Sequence, residues 1–140
     1  MLIDKKIINS LLEKLKEYVY DLESMNFNLN DLEGNRDIQH LVNHRLHTAV
    51  EICIDIAMNV ASALELPGRD SAVDVIGLLG EHKIIAKSLA SSFQQAPKLR
   101  NLLIHGYAKV DYALIFKDFR KDILEMKEFA RQIKAYVDKN

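Results

Sequence analysis

Between Pro97 and Asp111 the sequence gathers a guanidinium, an amide, an imidazole, a phenol and two ammonium groups: Arg100, Asn101, His105, Tyr107, Lys98 and Lys109. Proline opens the stretch at the position where a missing N–H costs a helix least. Leu99, Leu102, Leu103 and Ile104 carry it on as an apolar helix. Gly106 permits the left-handed turn that would end that helix and expose Tyr107, and Asp111 can cap the next one. At about 100° per residue, Asn101 and His105 share a face, and a bond between them would fix the ring orientation and tautomer of His105. Arg100 lies roughly 140° round the same helix. It can share a phosphate with His105 through its long side chain, an early helix end, or a symmetry mate.

Arginine beside histidine suits phosphodiester chemistry. The guanidinium holds two phosphate oxygens and stabilises the extra charge as phosphorus becomes five-coordinate. Imidazole moves protons near neutral pH. In RNA the adjacent 2′-hydroxyl is a built-in nucleophile, so the reaction needs neither metal nor bound water. Lys98 and Lys109 would hold neighbouring phosphates. The same Arg and His also suit the negative end of a helix dipole with no chemistry at all.

Other groups compete for attention. His40, His44 and His47 fall at i, i+4 and i+7, one helix face, as zinc ligands can. No cysteine or carboxylate-rich motif completes a set, so that face reads as solvated or cleft-lining. Asp37 could orient His105 or Arg100, and is equally a first-turn acid satisfying a helix dipole. Asp55, among Cys53, Ile54 and Ile56, is expected to pair with a buried donor. Lys117, Arg120, Lys121, Lys127, Arg131 and Lys134 alternate with acids as a solvated face.

These groups must be positioned by 140 residues, one domain's worth (1–140), of which 49% are hydrophobic and 28% charged. That balance excludes a disordered chain and supports a core without metal or disulfide staples. A single cysteine, Cys53, excludes an internal disulfide and points to a reducing, cytoplasmic setting. No apolar run suggests a signal peptide or a membrane span. The net charge of −1 argues against a nucleic-acid coat protein but leaves room for a local basic cleft.

Helical periodicity runs throughout. Asp4 opens a helix to about Ser24, with Ile8, Leu11, Leu12, Leu15, Tyr18, Val19 and Leu22 as its buried stripe. Met25 to Asn35 is a connector in which Phe27, Leu29 and Leu32 tuck a short turn onto the core. The longest helix, about Arg36 to Leu66, is apolar over more than one face and so belongs at the centre, ended by Pro67-Gly68. Shorter helices follow at Ser71–Gly80 and Ile84–Gln94, separated by Gly80. After the motif helix, Tyr112, Phe116, Phe119, Ile123, Met126, Ala130, Ile133 and Val137 step as a bundle seam to about Asp138. The pattern gives an all-α antiparallel helical bundle with a long central helix.

The motif Arg100-Asn101-x-x-x-His105-x-Tyr107 resembles the signature of the HEPN superfamily of small α-helical ribonucleases. More closely, the chain resembles the HepT toxins, partners of MNT-type nucleotidyltransferase antitoxins. Arg36 to His40, Ile52 to Ala57 and Leu102 to Asp111 carry the likeness, which covers roughly residues 5–137. Met58-Asn59, where relatives often have a histidine, and Pro97-Lys98-Leu99, in place of an apolar-Phe lead-in, depart from the pattern. The resemblance implies the toxin of a type VII-like toxin–antitoxin pair, a metal-independent endoribonuclease without cofactor. It implies a symmetric homodimer whose motifs face one cleft, doubling the positive charge offered to RNA. Arg100 and His105 would then be the catalytic pair, Asn101 their polar support, and Tyr107 the site where the antitoxin attaches AMP. The alternative is a non-catalytic helical subunit that binds substrate or nucleotide for a separate nucleotidyltransferase. A plain helical interaction module comes third.

Overall fold

The structure, a computed structural model, describes residues 3–106 and 109–140. Seven helices and no strands occupy the described residues: α1 Lys5–Glu23, α2 Leu29–Gly34, α3 Arg36–Ala63, α4 Ala72–Glu81, α5 Lys87–Phe93, α6 Ala96–His105 and α7 Tyr112–Lys139. The chain is all-α, as the periodicity requires.

Side-chain caps fix most helix starts. The carboxylates of Asp4 and Asp111 accept from the first free N–H groups of α1 and α7, and Ser71 does the same for α4. Asn35 caps α3 through the N–H groups of Asp37 and Ile38. The short turn expected between Met25 and Asn35 is α2, held by a reciprocal capping box between Asn28 and Asp31.

The centre is α3, 28 residues long, with Val42, Leu46, Ala49, Val50, Cys53, Ile56, Ala57, Val60 and Ala61 buried. It packs against α1, α2, α4, α6 and α7. By length and composition α3 could cross a membrane, but 56% of its most apolar window is buried inside the protein, as in a core helix. Burial pushes the Cys53 thiol far above its ordinary pKa, so it behaves as a small core hydrophobe.

Three expectations are corrected. α3 ends at Ala63 rather than Leu66, because Glu65 turns left-handed (φ 54°) and the Leu66 N–H returns to the Ala61 carbonyl. Arg69 donates to that same carbonyl. Gly80 lies within α4 rather than between helices; it is buried against Ala90, whose methyl leaves no room for a Cβ. The left-handed residue after α4 is Lys83. On α7 the seam runs through Ile115, Phe119, Ile123, Met126, Phe129, Ile133 and Val137, while Phe116 is exposed and Tyr112 and Ala130 are only half-buried. Phe27 explains the shift, since it packs edge-on against Phe119 and Phe116, and Phe93 stacks on Phe129 at 5.0 Å.

The polar side of α7 carries Asp118, Asp122 and Glu125 on one face, lining a cavity of about 330 Å³ between α5, α6 and α7. Glu125 accepts a short hydrogen bond from Ser92. Burial, then the charges of Asp118 and Glu125, push the Asp122 carboxyl up to about 7. A carboxyl raised in the folded state favours folding at low pH, an advantage lost as pH rises through about 7. Asp122→Asn is therefore expected to raise Tm by a few degrees at pH 8. That gain should fade as pH falls toward 4, and calorimetry across that range checks the sign.

Candidate active site

Ten residues long, α6 lies antiparallel along α3 and is tied to it at two points. Near its end, the Leu103 carbonyl accepts from Asn43 Nδ2 at 3.0 Å. Leu103 is in the last turn, so its carbonyl has no partner within the helix, and Asn43 supplies one from the neighbouring helix. Earlier in α6, Arg100 Nη1 donates to Glu51 Oε2 at 2.8 Å, with the two side chains 20% and 44% exposed. Arg100 Nε donates to Asn101 Oδ1 at 3.0 Å. Two of the three guanidinium nitrogens are thus held, and Nη2 has no protein acceptor among the described residues.

His105 is exposed in the last turn of α6. The expected Asn101–His105 bond is absent among the described residues, because the Asn101 carbonyl faces the Arg100 guanidinium instead. Gly106 ends the helix with φ −75°, right-handed rather than left-handed. A side chain there would collide with the Leu102 carbonyl, which accepts the Gly106 N–H at 2.7 Å. Glycine is required for close approach, not for a positive φ. Tyr107 lies outside the described residues. Lys98 and Lys109 are both exposed, and Lys109 N–H returns to the Gly106 carbonyl.

The supporting carboxylate is Glu51, which the sequence reading missed. Asp37 lies about 21 Å along α3 from Glu51, too far to reach Arg100. Its carboxylate makes no hydrogen bond to His105 among the described residues, and its place in the first turn of α3 suits the helix dipole. Asp55 is exposed rather than paired with a buried donor. Partial burial and the Glu51 charge raise its pKa, with Arg100 pulling the other way. Arg100 therefore sits beside two carboxylates one turn apart on α3.

His40, His44, His47, Glu51 and Asp55 recur at three- and four-residue steps as one polar stripe along α3, and Glu51 within it meets α6. His47 Nδ1 lies 2.9 Å from Asn43 Oδ1, and the His44 and His47 rings meet edge-on at 5.5 Å. Tyr18 of α1 packs edge-on against His44. Among the described residues no three His, Cys, Asp or Glu are arranged to hold a metal ion.

An arginine held on a short helix, five residues before an exposed histidine at the helix end, is the arrangement the resemblance anticipates. A family model described as Ribonuclease HepT-like matches residues 8–133. The chain belongs to that family. Among curated proteins, this HepT-like chain is 25% identical over 136 residues to the tRNA nuclease HepT of Aphanizomenon flos-aquae, covering 96% of this chain and 92% of that one. Its fold matches a tri-AMPylated HEPN toxin of Shewanella oneidensis solved in complex with an MNT antitoxin. There the TM-score is 0.84 at 22% identity, over 92% and 97% of the two chains. It also matches YutE of Bacillus subtilis, a cytosolic protein of unknown function, with a TM-score of 0.86 at 13% identity over 99% and 94%.

The two ties of α6 differ in strength. Asn43→Ala strands the Leu103 carbonyl and the His47 N–H and is expected to cost about 1–2 kcal/mol. Glu51→Ala removes a half-exposed ion pair and is expected to cost under about 1 kcal/mol. Urea unfolding of both variants checks the order; a larger loss at Glu51 contradicts it.

Proposed function

We propose that this chain is the toxin of a type VII-like toxin–antitoxin pair, a metal-independent endoribonuclease that cleaves RNA by 2′-hydroxyl attack on the adjacent phosphate. The observation that carries the reading is the Arg100 guanidinium, held by Glu51 and Asn101 with Nη2 free, on a short helix that exposes His105 at its end. A fixed guanidinium binds the phosphate and stabilises the charge of five-coordinate phosphorus at little cost in reorganisation. His105 supplies proton transfer. The nucleophile belongs to the substrate and the countercharge to Arg100, so the chemistry calls for neither metal nor cofactor. Asn101 acts through Arg100, and Lys98 and Lys109, both exposed, would meet flanking phosphates.

The chain acts as a symmetric homodimer in the cytoplasm. Leu41 and Met58 of α3 and Leu102 and Ile104 of α6 are exposed on the two helices that carry the site, surface that a second copy would cover. Two Arg100–His105 sets facing one cleft give a near-neutral protein the local positive charge RNA requires. The partner is an MNT-type nucleotidyltransferase antitoxin that attaches AMP to Tyr107. An adenylate two residues from His105 places a phosphate where RNA would lie and repels its backbone. The names of the relatives support this reading: one is a tRNA nuclease, another an AMPylated toxin bound to its antitoxin.

Arg100→Ala and His105→Ala are each expected to lower RNA cleavage by roughly 10²-fold or more and to end growth arrest, with the circular dichroism spectrum unchanged. A fully toxic variant at either position contradicts the assignment. Tyr107→Phe is expected to stay toxic and escape the antitoxin. Intact-mass spectrometry after co-expression should find AMP on the wild type and none on the variant; AMP on another residue overturns the role of Tyr107.

A further inference from the structure

Each Arg100–His105 set supplies one imidazole, yet 2′-hydroxyl attack needs two proton transfers. One group takes the proton of the nucleophile and another gives a proton to the leaving 5′-oxygen. The histidines of α3, which no metal site accounts for among the described residues, offer the second group.

The hydrogen bonds around Asn43 fix its state by elimination. The Leu103 carbonyl can only accept, so the end of Asn43 facing it is the amide Nδ2. The other end, turned to His47, is therefore the carbonyl oxygen Oδ1, which can only accept in turn. His47 must donate from Nδ1, so in the neutral ring the lone pair lies on Nε2. That nitrogen has no hydrogen-bond partner among the described residues. Sequence neighbours bracket its location. One turn before His47, Asn43 touches Leu103, and one turn after it, Glu51 holds Arg100, so His47 faces the stretch of α6 between Arg100 and Leu103.

We propose that His47 is a second catalytic residue of this site, the base that accepts the 2′-hydroxyl proton at Nε2, and that Asn43 is the positioning residue that sets its tautomer. The inference rests on the ribonuclease reading above. The 2′-oxygen bonds to phosphorus as its proton passes to His47 Nε2. The bond from phosphorus to the 5′-oxygen breaks, and that oxygen takes a proton from His105. The products are a 2′,3′-cyclic phosphate and a 5′-hydroxyl, and exchange with water resets both rings. A base must be neutral before the reaction. Partial burial and the neighbouring His44 lower the His47 pKa from its ordinary 6.5, outweighing the opposing pull of Asn43 and Glu51. The titratable groups around it are His44 and Glu51 on α3, with Arg100 of α6 bonded to Glu51 and Tyr18 of α1 packed on His44.

Two measurements test this on the full-length protein. In ¹⁵N-histidine NMR of the wild type at pH 7.5, His47 is expected to show a protonated Nδ1 and an unprotonated Nε2; the opposite tautomer overturns the proposal whatever the protein cleaves. In RNA cleavage, His47→Ala is expected to lower kcat 10²-fold or more with KM within threefold, and to lose the acidic limb of the wild-type pH profile, which falls below pH 6.5. Added imidazole is expected to restore part of the rate. A His47→Ala protein within threefold of wild-type kcat, or one impaired in KM alone, overturns the proposal. His105→Ala, run in parallel, separates the two ideas. If wild type cleaves RNA, His105→Ala does not and His47→Ala does, only the role of His47 fails. If wild type cleaves no RNA, both readings fall.

Discussion

One lateral tie governs the site: the hold of α3 on α6 through Asn43 to the Leu103 carbonyl and Glu51 to the Arg100 guanidinium. A ten-residue helix is marginal alone, and α6 ends at a glycine, so its own backbone does little to place its side chains. Nor does it bury much, with only Pro97 and Leu103 fully enclosed. The rigidity comes from α3, whose apolar faces are wedged among the other helices. Long and central, α3 acts as a rail, and the polar stripe along it sets where a guanidinium and an imidazole can rest.

The tie has an electrostatic consequence. In the proposed reaction Arg100 is the cation for RNA, yet its resting partner is the Glu51 carboxylate with Asp55 one turn away. Incoming phosphate must share the guanidinium with Glu51. Because that pair is partly exposed, its strength is modest, and a phosphate binding through the free Nη2 need not break it. The same carboxylates repel RNA that approaches without engaging Arg100. Under the proposed function, the charge pattern of one helix face would thereby select a correctly seated phosphate.

Local chemistry was legible in the chain. Asp4, Ser71, Asp111 and Pro97 announced helix starts, and the apolar periodicity placed the central helix and the motif helix within a few residues. The capping box of α2 was there to be read in Asn28 and Asp31. What failed depended on partners distant in sequence. Gly80 marked a close approach to Ala90 rather than a break, and Phe27 and Phe93 drew the α7 seam onto Phe119 and Phe129. Glu51 and Asn43 bind atoms about fifty and sixty residues away, and no spacing rule reaches that far. A signal did exist: His40, His44, His47, Glu51 and Asp55 recur at three- and four-residue steps on the helix that forms the core. An uninterrupted polar stripe on a core helix marks the line where a functional element docks.

The central claim is that an Arg–His pair, with the ribose hydroxyl of the substrate as nucleophile, severs RNA without a metal. Its most direct test is the chemistry of the ends left by purified protein acting on RNA in excess EDTA. The account expects undiminished cleavage, with 2′,3′-cyclic phosphate on one fragment and a 5′-hydroxyl on the other. Ends bearing a 5′-phosphate and a 3′-hydroxyl, or cleavage abolished by the chelator, would contradict it.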